Sequence, residues 1–387
     1  MTNLYSNIVR RGVEYVPIGD YLSYEQPTRY LVESTKYDDS YTTPVLTAGQ
    51  SFILGYTKET SGIFDASRNN PVIIFDDFTT SFHWVEFSFK VKSSAMKMLR
   101  PTNESKALFR YLYHCMKNVQ YVPGDHTRQW IGTYSQFEIP LPPLPVQEAI
   151  VNILDRFAVY AAELQAELQA RQQQYNYYRD TLLSFEGRED VQWKKLGEVC
   201  AKTDNIKWKT TTGTYQYIDL SSVDIQTHSI LSTTPIDKSS APSRAQQIVR
   251  ENDVIFATTR PTQMRVCIVP SKYDGEICST GFCVLRPNKE IVLPQYLFFA
   301  LAVDDFRAYL SNNLTQGNYP SISNNTLKEY LLPIPSIEEQ QHIVDILDRF
   351  DTLVNDLSQG LPAEIEARQQ QYEYYRDQLL TFKRKEA

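Results

Sequence analysis

The sequence predicts an α+β protein: two mixed α/β units separated by two long helices that pair as an antiparallel coiled coil. Three observations predict it. They are a near-verbatim internal repeat, a heptad pattern inside each copy, and short alternating strand patterns between the copies. Ile150-Val-Asn-Ile-Leu-Asp-Arg-Phe157 returns as Ile343-Val-Asp-Ile-Leu-Asp-Arg-Phe350, with seven of eight positions identical. Residues 170–185 return as 367–382 with 13 of 16 identical. The offsets are 193 and 197, so the second copy carries four extra residues near 358–362. Val13-Glu-Tyr-Val-Pro-Ile-Gly-Asp20 also resembles Val191-Gln-Trp-Lys-Lys-Leu-Gly-Glu198, and residues 139–142 resemble 332–335. The plan is therefore a divergent unit (1–142), a repeated helix (143–188), a second divergent unit (189–335) and a second repeated helix (336–387), related by a pseudo-two-fold axis.

In the first unit, residues 41–56 and 71–75 read as strands with glycine-centred turns, and 84–91 alternates as a strand. Residues 102–115 read as a helix. The first repeated segment places Ile150, Leu154, Phe157, Ala161, Leu164, Leu168, Arg171, Tyr175, Tyr178, Leu182 and Phe185 at alternating spacings of four and three. That is an a/d seam, interrupted only by the charge of Arg171. Glycine and proline are absent from 146 to 186, so one helix of about 60 Å is expected. In the second unit, residues 215–218, 253–256, 266–269 and 282–285 read as strands and 295–311 as a helix, with Gly213, Gly281 and Gly317 at turns. The last segment continues the seam through Ile343, Leu347, Phe350, Val354 and Leu357, then Ile365, Arg368, Tyr372, Tyr375, Leu379 and Phe382. Its four extra residues amount to one helical turn, and Gly360 and Pro362 predict a break there. Neither stripe can stay in water. The simplest partner for each helix is the other, packed antiparallel, which sets the two divergent units at opposite ends. Homodimerisation through the coiled coil is the alternative.

With 387 residues, 42% apolar and 22% charged, the chain has the composition of a globular protein. Its longest apolar run, 296–303, is too short to span a membrane, and residues 1–12 lack the apolar core of a signal peptide, so a cytoplasmic protein is expected. The five cysteines form no Cys-x-x-Cys pair, which argues for reduced thiols without zinc. The net charge of −7 argues at first against a nucleic-acid partner. Its distribution reverses the point. Basic and acidic groups number 14 and 14 in 1–142, 4 and 6 in 143–188, 15 and 15 in 189–335, and 6 and 11 in 336–387. The whole excess lies on the repeated helices. The neutral divergent units are free to present a positive face.

Catalytic signatures are missing. There is no Gly-x-x-x-x-Gly-Lys loop and no Gly-x-Ser-x-Gly elbow. The Asn/Asp-Pro-Pro-aromatic string of an adenine methyltransferase has only Asn70-Pro71-Val72 to set against it. The five histidines lack metal-ligand spacing. Asp76-Asp77 with Glu104-Ser-Lys106 resembles the Asp…Glu-x-Lys pattern of metal-dependent nucleases. An acidic residue after Pro101-Thr102-Asn103 also suits a helix start, where the dipole favours it.

Two divergent units, each followed by a near-identical long helix, resemble the specificity subunit of type I restriction-modification systems. The resemblance covers the whole chain. Its most specific features are Pro140-Leu-Pro-Pro-Leu144 running into Gln147-Glu148 and the 150–157 block, the counterpart Pro333-Ile-Pro-Ser-Ile-Glu-Glu-Gln-Gln341, and Gln316-Gly-Asn-Tyr-Pro-Ser-Ile322. It implies that each divergent unit is a target recognition domain reading half of a split site in double-stranded DNA. It also implies that the helices dock two modification (methyltransferase) subunits, that restriction (helicase-nuclease) subunits join, and that this chain is not itself an enzyme. S-adenosylmethionine then belongs to the partner, with no cofactor or metal in this chain. Glu163-Leu-Gln-Ala166, followed directly by Glu167-Leu-Gln-Ala170, is similar to the tandem units by which some members of the family set the gap between half-sites. A coiled-coil scaffold, or a fused nuclease with its own metal site, is the competing reading.

Base edges are read by polar and cationic side chains on loops. In the second unit Lys207, Lys209, Tyr215, Arg244, Arg260, Gln263, Arg265 and Lys272 are candidates, with 258–265 the foremost loop and Gln316, Asn318 and Tyr319 a second. In the first unit Thr47, Gln50, Ser51, Tyr56 and Lys58 flank a turn, and Arg128, Gln129 and Trp130 precede the long helix.

Overall fold

A computed structural model describes residues 12–49, 51–102, 106–315, 319–356 and 360–385. The chain divides into two compact units, residues 1–162 with 367–387, and residues 163–366.

The first unit runs β1 (Glu14–Pro17), β2 (Leu22–Glu25), β3 (Thr43–Leu46), β4 (Ile53–Thr57), β5 (Val72–Asp76), β6 (Phe82–Val85), β7 (Lys90–Val91), β8 (Met96–Pro101), α1 (Phe109–Asn118) and β9 (Glu138–Leu141) into α2 (Leu144–Leu182). β5 is a continuous apolar run because it is covered on both faces. It lies inside a sheet of order β2-β8-β5-β6, beside a second sheet β4-β3-β7. Its alternate residues serve two cores. Ile73 and Phe75 pack with Tyr111 and Leu112 of α1, whereas Val72 and Ile74 pack with Leu46 and Val91 of the second sheet.

The strand expected over 84–91 is two strands in different sheets, β6 pairing with β5 and β7 parallel to β3. The helix expected over 102–115 begins only at Phe109: Thr102 is still tied to the end of the sheet, its N–H donating to Tyr21 O and its hydroxyl to Asp20 O, both at 2.9 Å. Leu108, at the start of α1, has no side-chain cap of its own; its N–H donates to Gln147 Oε1 of α2 at 2.9 Å.

The second unit runs β10 (Gln192–Lys195), β11 (Cys200–Ala201), β12 (Tyr215–Ile218), β13 (Thr234–Ile236), β14 (Ala245–Ile248), β15 (Val254–Ala257), β16 (Val266–Ile268), β17 (Ile277–Ser279), β18 (Phe282–Pro287), α3 (Pro294–Ala300), α4 (Asp304–Asn312), α5 (Asn324–Lys328), β19 (Leu331–Ile334), α6 (Ile337–Asn355) and α7 (Leu361–Leu380), whose end lies in the first unit. The helix expected over 295–311 is interrupted between Ala300 and Asp304. Asp304 and Asp305 open the new helix α4, where acidic groups suit the dipole.

The duplication reaches far beyond the repeated blocks. Sheet order β11-β18-β15-β16 matches β2-β8-β5-β6, and the antiparallel pair β10-β19 matches β1-β9. Register matches too. Ile73 faces Leu99 as Val254 faces Leu285, and Phe75 faces Lys97 as Phe256 faces Cys283. Tyr111 donates its hydroxyl proton to Pro140 O as Tyr296 does to Pro333 O. Gln340 repeats Gln147: it accepts from Leu293 N and donates to Ile291 O and Pro335 O, as Gln147 accepts from Leu108 N and donates to Lys106 O and Pro142 O. Both glutamines are wholly buried.

Within each unit the two repeated segments run antiparallel. In the first, the Phe157 ring stacks on Tyr375 at 5.4 Å, and Arg368 lies over the Tyr160 ring at 5.5 Å. In the second, Tyr178 meets Phe350 at 5.4 Å. Ile150, Leu154, Leu164 and Tyr175 are buried along the expected seam, but Tyr178 is exposed. Arg171 is accommodated by an ion pair one turn back, Nε to Glu167 Oε1 at 2.7 Å. The expected break separates α6 from α7. A Cβ on Gly360 would lie 2.5 Å from the Thr352 carbonyl oxygen, so only glycine fits. Leu357 lies outside the described residues. After α7 the chain pairs with the start of the first unit: Val13 N donates to Lys383 O at 2.8 Å and Lys385 N to Val13 O at 2.9 Å.

A pH-sensitive contact ties α1 to α2. Asp155 Oδ1 lies 2.8 Å from His114 Nε2 and 2.9 Å from Arg110 Nε. Burial lowers the His114 pKa below 6.5, and the opposing pull of Asp155 does not restore it. Burial works to raise Asp155, but the bonds from His114 and Arg110 outweigh it and hold the carboxyl below 3.8. Both groups therefore bind fewer protons folded than unfolded. Their stabilisation is complete above about pH 6.5 and is lost as pH falls, first through the histidine range and then below 3.8. The thermal midpoint of the first unit should drop between pH 7.5 and pH 5.5, and His114→Phe should flatten that slope. An unchanged slope in the variant refutes the assignment.

Candidate nucleic-acid interface

In the second unit, the loop between β15 and β16 leaves the sheet with two residues in the left-handed region, Arg260 at φ 50° and Met264 at φ 53°. A bulky side chain adopts that conformation only when its surroundings hold it. Here Arg260 N donates to Pro320 O at 2.7 Å, Ile322 N donates to Thr258 O at 2.9 Å, and Thr259 bridges Ser321. The loop is thus fastened to the segment before α5. The guanidinium of Arg260 lies 5.0 Å over the Tyr319 ring.

Around this stack is a cavity of about 630 Å³ lined by Leu220, Ser221, Arg244, Thr259, Arg260, Gln263, Arg265, Tyr319 and Ser321. Ser221 is positioned by Asp219, whose Oδ1 accepts from Ser221 N at 2.8 Å and Ser222 N at 3.0 Å. Burial opposes ionisation of Asp219, but the bonds from Ser221 and Ser222 prevail and keep its pKa below the usual value. Arg265 donates to Val223 O, which orients its guanidinium. The cavity therefore gathers three arginines, a glutamine, hydroxyls and an exposed tyrosine, the donor set suited to phosphates and base edges.

The expected residues fall into distinct places. Arg244, Arg260, Gln263, Arg265 and Tyr319 converge on this cavity. Lys207 and Lys209 are exposed on a turn that runs beside β14, anchored by Trp208 Nε1 donating to Ala245 O at 2.7 Å. Tyr215 is half-buried and meets Trp208 edge-on, so its ring packs within the fold. Lys272 lies over Tyr273, beyond the far end of β16 from the 258–265 loop. Gln316 and Asn318 lie outside the described residues.

In the first unit, Thr47 and Ser51 belong to the β3–β4 turn, closed by Thr47 N donating to Phe52 O. His83 Nε2 lies 2.9 Å from Gly49 O, which sets this turn beside the β5–β6 hairpin. Gln50 lies outside the described residues. Tyr56 is half-buried within β4, and Lys58 is exposed just past its end. Arg128 is exposed, with Nη1 3.6 Å from Asp77 Oδ2. Two expectations need correction. Gln129 is buried, accepting from Tyr121 Oη and donating to Asp125 and Thr127, and Trp130 is buried between Phe75 and Tyr134. Both side chains hold the fold together and present nothing outward.

Two residues not expected from the sequence appear instead. Phe78, on the β5–β6 hairpin, stacks on exposed His126 with centroids 4.7 Å apart and planes 17° apart. His126 stands 193 residues before Tyr319, the offset of the first repeated block, but only the matching bonds Gln129 N to Asp77 O and Ile322 N to Thr258 O show that the two positions correspond. The nuclease-like pattern does not assemble among the described residues. Asp76 caps its own turn through Phe78 N and Thr79 N, Asp77 is buried against Lys97, and Glu104 lies outside the described residues. Among the described residues no cluster of His, Cys, Asp and Glu could hold a metal ion, and no helix is long and apolar enough to cross a membrane.

Comparison with known proteins agrees with this arrangement. The family described as the type I restriction modification DNA specificity domain matches residues 11–171 and again 188–367. The chain is 40% identical to the EcoR124I/EcoR124II type I restriction enzyme specificity subunit of Escherichia coli, over 97% of this chain and 95% of that one. It is 28% identical to a putative type I restriction enzyme specificity subunit of Haemophilus influenzae, over 86% of each. The crystal structure of a type I restriction-modification S subunit from M. genitalium shares the fold, with a TM-score of 0.57 at 13% identity over 95% of this chain and 96% of that one. The chain belongs to the type I restriction-modification DNA specificity family, as a specificity subunit without catalysis of its own.

Proposed function

We propose that this chain reads a bipartite DNA site with two target recognition domains, 1–142 and 189–335, while the repeated helices, 143–188 and 336–387, set the gap between the half-sites. The observation that carries this reading is the register-for-register duplication: two sheets and hairpins of one design, each leading into a copy of the same helix. A symmetric pair of reading heads suits a split site. Their loops need not match, and they do not: the 258–265 loop has eight residues and the 77–81 loop five. The two half-sites then differ in sequence.

The acidic helices face protein, away from phosphates. They dock two modification subunits, which supply S-adenosylmethionine and methylate adenine, and restriction subunits join that assembly in the cytoplasm. The target base is flipped into a partner's pocket, which agrees with the lack of a catalytic cluster in this chain's sequence. The test is competition binding by the chain assembled with its modification subunits. Duplexes altered in either half-site should lose competition, and altered spacer bases should be tolerated. Equal competition by any duplex of the same length overturns the reading.

A further inference from the structure

The two units carry the same device at the same place with different side chains. In the first, Asp77 N donates to Ala95 O at 3.0 Å and Gln129 N to Asp77 O at 2.7 Å; in the second, Thr258 N donates to Gly281 O at 2.9 Å and Ile322 N to Thr258 O at 2.9 Å. The offsets close: 281 − 95 = 186, as β18 stands to β8 (282 − 96), and 322 − 129 = 193, as 319 − 126. Each unit therefore zips the base of its β-hairpin loop to the segment before its last strand. One side chain from each loop then meets the other: Phe78 with His126, and Arg260 with Tyr319.

Conservation of the backbone device with replacement of its tip is what a reading head needs. The scaffold must place the tip identically, and only the tip must differ between targets. Burial separates the parts. Arg260, Tyr319 and His126 are exposed, whereas the residues that fasten the loops, Asp77, Gln129 and Thr258, are buried. The left-handed backbone at Arg260 and the ring beneath its guanidinium hold the planar fork in one orientation. A fixed guanidinium matches the O6 and N7 acceptors of guanine in the major groove.

We propose that these two stacked pairs are the specificity-determining tips of the two recognition domains. Arg260, braced by Tyr319, reads a guanine in the half-site of the second unit, and His126, braced by Phe78, reads a base in the half-site of the first. This rests on the reading of both units as DNA-recognition domains.

The test is the methylation motif, read by sequencing genomic DNA from cells that carry the chain with its modification subunits. Arg260→Ala should relax one G·C position of one half-site by about tenfold to a hundredfold and leave the other half-site unchanged. His126→Ala should relax the other half-site alone. Arg260→Asn tolerates the left-handed backbone, and should relax the same position as Arg260→Ala, which separates loss of reading from loss of folding. Arg260→Lys should not restore the position, because an ammonium lacks the fork. An unchanged motif in Arg260→Ala and His126→Ala, changes in the wrong half-site, or full rescue by lysine overturns the inference. A wild-type complex that methylates no bipartite motif fails the underlying reading instead.

Discussion

Asp77→Ala should destabilise the first unit by about 3–5 kcal/mol, a large fraction of the stability of an ordinary domain. Asp77 and Lys97 are both 1% exposed and 3.4 Å apart, so removing the carboxylate strands a buried ammonium. Lys97 keeps its place over the Tyr24 ring, 4.6 Å away. Asp77 Oδ1 also accepts from Trp130 N at 2.8 Å, and that bond disappears. The second unit shows an uncharged solution to the same site. Thr258 stands where Asp77 does and Cys283 where Lys97 does, and burial pushes the Cys283 thiol up to about 11. Asp77→Thr combined with Lys97→Met should therefore recover most of the loss. A double variant as unstable as Asp77→Thr alone, measured by denaturant unfolding, would show that the pair is not coupled.

Gln340→Leu should cost the second unit about 2–4 kcal/mol, because it leaves the Leu293 N–H and the Ile291 and Pro335 carbonyls without their partner. Gln147→Leu should cost the first unit a similar amount by the same loss. Gln340→Glu should be at least as damaging as leucine, since its carboxylate faces two carbonyl oxygens that need a donor. Each substitution should lower one unfolding transition and spare the other. A shift below about 0.5 kcal/mol would place Gln340 among ordinary surface positions.

The repeated segments are legible because a heptad seam constrains side-chain type directly, and Gln147 and Gln340 stand in corresponding places just ahead of their 150–157 and 343–350 blocks. The duplication of the divergent units is hidden, because main-chain hydrogen bonds specify it and those tolerate Asp77 in one copy and Thr258 in the other. Arg260 and Arg265 stand out as cations in a polar loop after an apolar strand. Gln129 and Trp130 mislead for a physical reason. Polarity in a sequence does not say whether a side chain faces water or a buried partner, and the Gln129 amide finds Tyr121, Asp125 and Thr127 inside the fold. The helix expected at Thr102 fails because Thr102 bonds through space to Asp20 and Tyr21, partners that the local sequence does not announce.

On the proposed reading the repeated helices fix the distance between two half-sites, and the tandem Glu-Leu-Gln-Ala units within α2 allow that distance to be changed by a defined step. Removing residues 163–166 shortens a helix by about 6 Å, close to one helical turn, and so retains the seam. The methylation motif of the deletion variant, sequenced from cells carrying the assembled complex, should keep both half-sites and lose about one or two base pairs of spacer. An unchanged spacer, or altered half-site bases, contradicts the account.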